Sequence, residues 1–180
     1  MAATGSILLE PSSLYVTTTQ LAEAKFHWAL VETSADACTA TRHHWHERSD
    51  KPGLAEGYGA QRIQPKSLTG RVILGYFKIR GYTPPPSARF ADICETTFST
   101  SYANVPTNRK YGLTCRTWVL QVISTLCACG HIIGFEGTIP NFVDSLERII
   151  TERSRMADNN YLTTFYHQRT LNFVSPVMVV

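Results

Sequence analysis

One cysteine is placed where this 180-residue chain could perform covalent catalysis. Cys115 follows Thr114, a residue type that commonly caps helices, and opens a segment with the apolar spacing of a buried helix face. A thiol in the first turn of a helix lies near unpaired N–H groups and the positive end of the dipole, which favour the thiolate. Arg109, Lys110 and Arg116 add positive charge nearby in sequence. The pattern predicts a nucleophile, or else a buried cysteine that only opens the apolar stripe.

Histidines supply candidate partners for that thiol. A cysteine nucleophile needs an imidazole that accepts its proton and a further group that orients the ring. His27 lies in a predicted strand over residues 26–32. The return strand carries three histidines: His43, His44 and His46. Because side chains alternate along a strand, His44 and His46 share one face, and a His27–His44 pair across the hairpin would provide a base and an orienting group.

Apolar periodicity and turn residues predict the elements that position these side chains. Strands are predicted at 14–18, 26–32, 42–47 and 70–80, and helices at 87–97, 114–130 and 140–156. The segment Gly57-Tyr58-Gly59 is interpreted as a turn because of its two glycines. The tail 161–180 contains short β-forming runs that would add an edge strand or lie across the core.

These elements predict one α+β domain over residues 1–180. An antiparallel sheet would pack against the core helix that Cys115 opens, with a core at about 14–157 and a C-terminal extension over 158–180. The apolar and charged fractions, 43% and 17%, are typical of a globular chain.

Three short motifs resemble the circularly permuted papain-like fold. They are His27-Trp28-Ala29-Leu30 in a strand, Arg42-His43-His44 in the next strand, and Cys115-Arg116-Thr117-Trp118-Val119 at a helix start. That group includes lecithin:retinol acyltransferase-like enzymes and desumoylating isopeptidase-like proteins, in which the cysteine follows the histidines in chain order. A set of small fungal proteins with similar motifs resembles the chain more closely, over roughly residues 26–126.

The resemblance implies that Cys115 is the nucleophile, His27 the general base and His44 the polar residue that orients it. The chain departs from these patterns in three ways. Thr114 replaces the usual Asn of the fungal motif, and the two histidines are further apart than in the acyltransferases, so that His43 or His46 could substitute for His44. No membrane anchor follows the catalytic region, which disfavours a membrane-bound acyltransferase.

Composition excludes several other functions. A net charge of +3 is too small for nucleic-acid binding by bulk electrostatics. No apolar run of about 18 residues is present, so no integral membrane segment is expected. Five cysteines, an odd number with no visible export signal, predict free thiols and a cytoplasmic protein.

Metal and cofactor sites are also not expected. Adjacent histidines in a strand point to opposite faces, and Cys127 and Cys129 do not share a helix face, so neither cluster converges on a metal ion. No glycine-rich phosphate-binding motif is present.

The sequence therefore predicts a thiol-dependent hydrolase or acyltransferase that acts on an amide, ester or thioester through a Cys-His-His site. The expected substrate is a small molecule or acyl group of apolar character. Five residues are predicted to bind it, although the three tryptophans could equally fill the core: Trp28, Trp45, Trp118, His43 and His46. The alternative is a small-molecule-binding protein or natural-product cyclase that uses the same pocket without a covalent intermediate. The sequence does not indicate an oligomeric state.

Overall fold

A computed structural model describes residues 8–21, 25–48, 53–63, 72–168 and 176–180. Within these ranges the strands are β1 (Leu14–Gln20), β2 (Phe26–Thr33), β3 (Ala40–Glu47), β4 (Glu56–Ile63), β5 (Ile73–Lys78) and β6 (Val177–Val179). The helices are α1 (Ser87–Thr96), α2 (Val105–Lys110), α3 (Cys115–Ala128) and α4 (Ile139–Gln168). None of the helices described is both long enough and apolar enough to cross a membrane.

The strands form a single mixed sheet in the order β4-β3-β2-β1-β5-β6. Strands β1 to β5 pair antiparallel, as expected, and the tail adds an edge strand. That strand, β6, pairs parallel with β5, so the prediction of a wholly antiparallel sheet is wrong at this edge. Parallel pairing needs a long crossover connection, and the helices between β5 and β6 provide it.

One face of the sheet, here called the helix face, packs against the helices and confirms the α+β class. Its core combines sheet residues such as Trp28, Leu30 and Phe77 with α3 residues such as Trp118 and Ile123. The opposite face, here called the open face, carries a smaller apolar cluster of Leu9, Tyr15, Val31, Ala40 and Tyr76. Side chains on neighbouring positions of a strand therefore have different surroundings.

Helix α3 begins at Cys115, as the sequence predicts. Thr114 and Thr117 form a capping box: Oγ1 of Thr114 accepts from N of Thr117, and N of Thr114 donates to Oγ1 of Thr117, each at 3.0 Å. These bonds satisfy two backbone donors that the helix itself leaves unpaired. The thiol is thereby fixed in the first helical turn.

Three features differ from the predicted elements. The segment with Gly57 and Gly59 is strand β4 rather than a turn. The short helix α2 was not predicted, and α4 extends twelve residues beyond the predicted end at 156. The longer α4 continues past residue 157, the predicted end of the core. Next to this point Gln20 Nε2 donates to Asp158 Oδ1 at 2.5 Å, which attaches α4 to β1. Residues 70 and 71 of the predicted strand 70–80 lie outside the described residues.

Strands β2 and β3 separate halfway along their length. Their described pairing runs from Thr33↔Ala40 to Leu30↔His43. Beyond that point β2 remains paired with β1, and β3 with β4. The N-terminus of α3 lies at this opening, because the backbone N–H of Trp28 donates to Sγ of Cys115 at 3.4 Å.

We expect Thr114→Ala to lower the free energy of unfolding by about 1 kcal/mol, because it removes the oxygen that caps α3. Urea denaturation measures the change. Thr125→Ala in the same helix is the control, since the Thr125 hydroxyl only donates to the carbonyl of Gln121 within the helix. Its effect should stay within about 0.5 kcal/mol. Equal losses in both variants would contradict the capping role.

Candidate active site

The residues predicted to be catalytic line one cavity. Cys115, His27 and His44 contribute to a cavity of about 930 Å³ that extends from the β2–β3 opening across the open face. His46 and Trp45 also line it. Residues that are 71 to 88 positions apart in sequence therefore meet at one site, and a cavity of this volume suits a small-molecule ligand.

The two histidines form a direct contact. Nε2 of His27 lies 3.2 Å from Nδ1 of His44, and the rings meet edge to face with centroids 5.4 Å apart. Burial is the main cause that lowers the pKa of His44 to about 3, and the charges of Arg42 and of His46 lower it further. His44 is therefore a neutral imidazole at neutral pH. It can form one hydrogen bond with His27, and that bond fixes which ring nitrogen carries the proton.

Burial dominates the electrostatics of the Cys115 thiol. It raises the pKa of Cys115, although the backbone N–H of Trp28, the charge of Arg109 and the backbone N–H of Arg116 each act to lower it. The prediction that the helix start favours the thiolate is therefore wrong, because the desolvation of the thiol outweighs the helix donors here. The thiol holds its proton at rest and needs a base at the moment of attack.

Sequence reasoning missed an ion pair in the cavity that Cys115 lines, in which a buried carboxylate meets a solvent-exposed arginine. Both carboxylate oxygens of Glu56, which is 3% exposed, accept from the guanidinium of Arg109 at 2.6 and 2.8 Å. The amide of Asn108 donates to the same carboxylate at 2.9 Å. Arg109 also donates to the carbonyl of Leu113 at 2.5 Å, just before α3. These hydrogen bonds among Glu56, Asn108 and Arg109 therefore fix the position of the segment that precedes Cys115.

The other predicted positive charges are placed differently from Arg109. The guanidinium of Arg116 lies 3.3 Å from a carboxylate oxygen of Glu147, so the Arg116 side chain is directed towards α4. Lys110 is exposed at the end of α2. Of these three positive charges, that of Arg109 acts to lower the pKa of Cys115, and the charge of Glu56 acts to raise it.

His46 contributes to the site by packing on His44. Their rings stack with centroids 4.3 Å apart and an angle of 14° between planes. A Cβ atom on Gly59 of the neighbouring strand would clash with Nε2 of His46, so the absence of a side chain at Gly59 makes room for this stack. The glycine that suggested a turn instead allows close approach inside a strand.

His43 lies on the helix face, away from the cavity side of β3. It is 5% exposed, and its Nδ1 lies 2.8 Å from the hydroxyl of Tyr58. Its Nε2 has no hydrogen-bond partner among the described residues. Burial lowers the pKa of His43 to about 4. The structure therefore places His43 in the core rather than at the expected substrate-binding position.

The three tryptophans also differ in position. Trp28 and Trp118 are fully buried in the core, and the indole N–H of Trp118 donates to the carbonyl of Cys94 at 3.1 Å. Trp45 is largely buried against Phe98 but still lines the cavity. Among the three, Trp45 alone is in a position to contact a ligand in this cavity.

No protein-family model, no curated protein and no solved structure matches the chain. The relationship to permuted papain-like proteins therefore stays a prediction. The described residues contain no group of three or more His, Cys, Asp or Glu side chains that could hold a metal ion. A functional assignment consequently depends on the geometry of the cavity.

We expect the folded state to lose stability as pH falls from 7 to 5, in part because of His43. Its folded-state pKa of about 4 lies below the unfolded value of 6.5, so the unfolded chain binds more protons in this interval. The contribution of His43 is complete above pH 6.5 and is lost as pH falls towards 4. At pH 5 the loss is about 2 kcal/mol.

Urea denaturation of His43→Phe at both pH values measures this contribution, and the variant should show a smaller pH dependence than the wild type. Tyr58→Phe is the matched control, because it removes the hydroxyl beside His43 and retains the buried imidazole. An identical pH dependence in wild type and His43→Phe would contradict the assignment.

Proposed function

We propose that this protein is a thiol-dependent hydrolase or acyltransferase that acts on an amide, ester or thioester through Cys115, His27 and His44. The observation that carries the proposal is the 3.2 Å contact between His27 and His44 in the cavity that Cys115 also lines. The thiol accepts from the backbone of Trp28, the residue next to His27. A nucleophile, a base and an orienting group thus come from three different elements.

The His27–His44 contact supports one path for the proton in the proposed reaction. Since Nε2 of His27 is engaged by His44, the thiol proton goes to Nδ1 of His27 as Sγ of Cys115 attacks the substrate carbonyl. His27 then carries protons on both nitrogens and donates through Nε2 to Nδ1 of His44. This requires a neutral His44, which its lowered pKa provides. His44 therefore orients His27 and stabilises its charged form.

The start of α3 supplies donors for the developing oxyanion. The capping box uses the N–H groups of Thr114 and Thr117. The N–H of Cys115, in the first turn, has no acceptor within the helix and is directed to the same end as the thiol. Backbone donors of this kind stabilise the negative oxygen of a tetrahedral intermediate.

Two steps complete the reaction. The intermediate collapses when His27 returns its proton to the departing nitrogen, oxygen or sulfur, which leaves an acyl thioester on Cys115. Water or an alcohol then attacks this thioester, gives a proton to His27, and releases the acid or ester with a regenerated thiol. The five cysteines are all free, which suits the reducing conditions of the cytoplasm.

A second function is favoured by the raised pKa of Cys115. A thiol that burial keeps protonated could be one wall of a pocket that binds a small molecule or guides its cyclisation. In that case the histidines would donate or accept hydrogen bonds, and no covalent intermediate would form.

Incubation with the N-acetylcysteamine thioester of hexanoic acid separates the two functions. We expect mass spectrometry of quenched samples to find one hexanoyl group on the peptide that contains Cys115, and thioester absorbance to fall with turnover. Cys115→Ala should abolish both signals, and His27→Gln should slow turnover by at least about 100-fold.

Cys38→Ser is the control, because Cys38 is an exposed thiol outside the cavity. It should retain both the acyl group on Cys115 and the rate of turnover. Full turnover by Cys115→Ala would overturn the thiol mechanism, and wild-type protein that binds the thioester without acylation would favour the second function.

A further inference from the structure

We propose that the substrate of this site carries a carboxylate at the far end of its acyl chain, and that Arg42 binds it. The inference rests on the proposed function and names the class of substrate. The acyl chain would lie along the open face between the thiol and the Arg42 guanidinium.

Arg42 lies on the cavity side of β3, two residues from His44. Consecutive residues on one strand face are about 7 Å apart, which places Arg42 one step beyond the histidine pair. In the sheet it pairs with Val31 of β2 and Gln61 of β4. All three side chains line the cavity that contains Cys115.

Two arginines, Arg42 and Arg109, line the cavity, and the acidic residues that line it lie at the Arg109 end. The acidic residues that line it, Glu47 and Glu56, face each other across β3 and β4 at the end nearest the thiol. Glu56 is engaged by Arg109 through both oxygens. Arg42 lies five residues from Glu47 along β3, a distance of about 17 Å. Arg109 is thus committed to Glu56 at the thiol end, and Arg42 is the guanidinium at the other end of the cavity, where the proposal places the substrate carboxylate.

Apolar side chains surround the Arg42 end. Val31 and Tyr76 are buried there, and Ile63 and Ile73 pack against them. The charge of Arg42 adds to the burial that lowers the pKa of His44, and it opposes the burial that raises the pKa of Tyr76, so its field reaches into the cavity. A guanidinium has five N–H donors and can hold a carboxylate by a bidentate pair alongside its other contacts.

Strand geometry limits the length of the acyl chain. Sγ of Cys115 lies at Trp28, and Arg42 pairs with Val31, three residues further along β2. That separation is about 10 Å, part of which the arginine side chain spans. An acyl chain of six carbons with a terminal carboxylate is of the same order as this span, so it serves as the probe.

The test compares two N-acetylcysteamine thioesters of equal chain length, adipyl with its terminal carboxylate and hexanoyl without it. We expect wild-type protein to show kcat/KM for the adipyl thioester at least about 10-fold above that for hexanoyl. Arg42→Gln should bring the ratio to about 1, because charge-assisted hydrogen bonds change affinity by roughly 10- to 100-fold. Arg42→Lys should retain part of the preference, and circular dichroism confirms that each variant folds.

Arg89→Gln is the matched control, since Arg89 pairs with Asp92 on the exposed side of α1. It should keep the wild-type ratio. A wild-type ratio near 1 with normal hexanoyl turnover would overturn the carboxylate proposal and leave the thiol mechanism intact. Absence of Cys115-dependent turnover with both thioesters would overturn both.

Discussion

The hydrogen bond from the backbone N–H of Trp28 to Sγ of Cys115 is the contact on which the site depends. It lies where β2 and β3 separate, at a backbone donor that has no described β3 partner. A buried N–H without an acceptor costs about 1–3 kcal/mol, so the thiol helps to stabilise the open sheet. The same bond places the sulfur beside the strand that carries His27 and gives α3 a fixed position on the helix face.

Burial keeps the Cys115 thiol and His44 uncharged at rest. The thiol keeps its proton, His44 is uncharged, and the carboxylate of Glu56 is matched by Arg109. In the proposed reaction, charge develops on His27 and on the substrate oxygen, and His44 and the α3 N-terminus are the groups placed to stabilise it. Preorganised donors act more strongly in such a cavity than they would in water.

The sequence pattern predicted those parts of the site that depend on residues close together in the chain. Thr114 and the apolar stripe after it located the start of α3, and the alternation of a strand put His44 and His46 on one face. Non-local contacts were not predictable in this way. In the sequence, Gly57 and Gly59 indicated a turn. The ring of His46 that requires a glycine at position 59 comes from another strand, so the local pattern could not show this requirement. Glu56, Asn108 and Arg109 are ordinary polar residues in sequence and meet only in the fold. Parallel pairing of β6 likewise depends on the return of the tail past α4.

The most direct measurement of the central claim is the rate of Cys115 alkylation by iodoacetamide from pH 6 to 10, with the labelled peptide identified by mass spectrometry. If His27 accepts the thiol proton, wild-type protein is alkylated at neutral pH at least about 10-fold faster than His27→Gln, and the variant reaches the same rate only at higher pH, where a buried thiol ionises unaided. Identical profiles for the two proteins would show that Cys115 and His27 are not coupled, and would contradict the catalytic assignment.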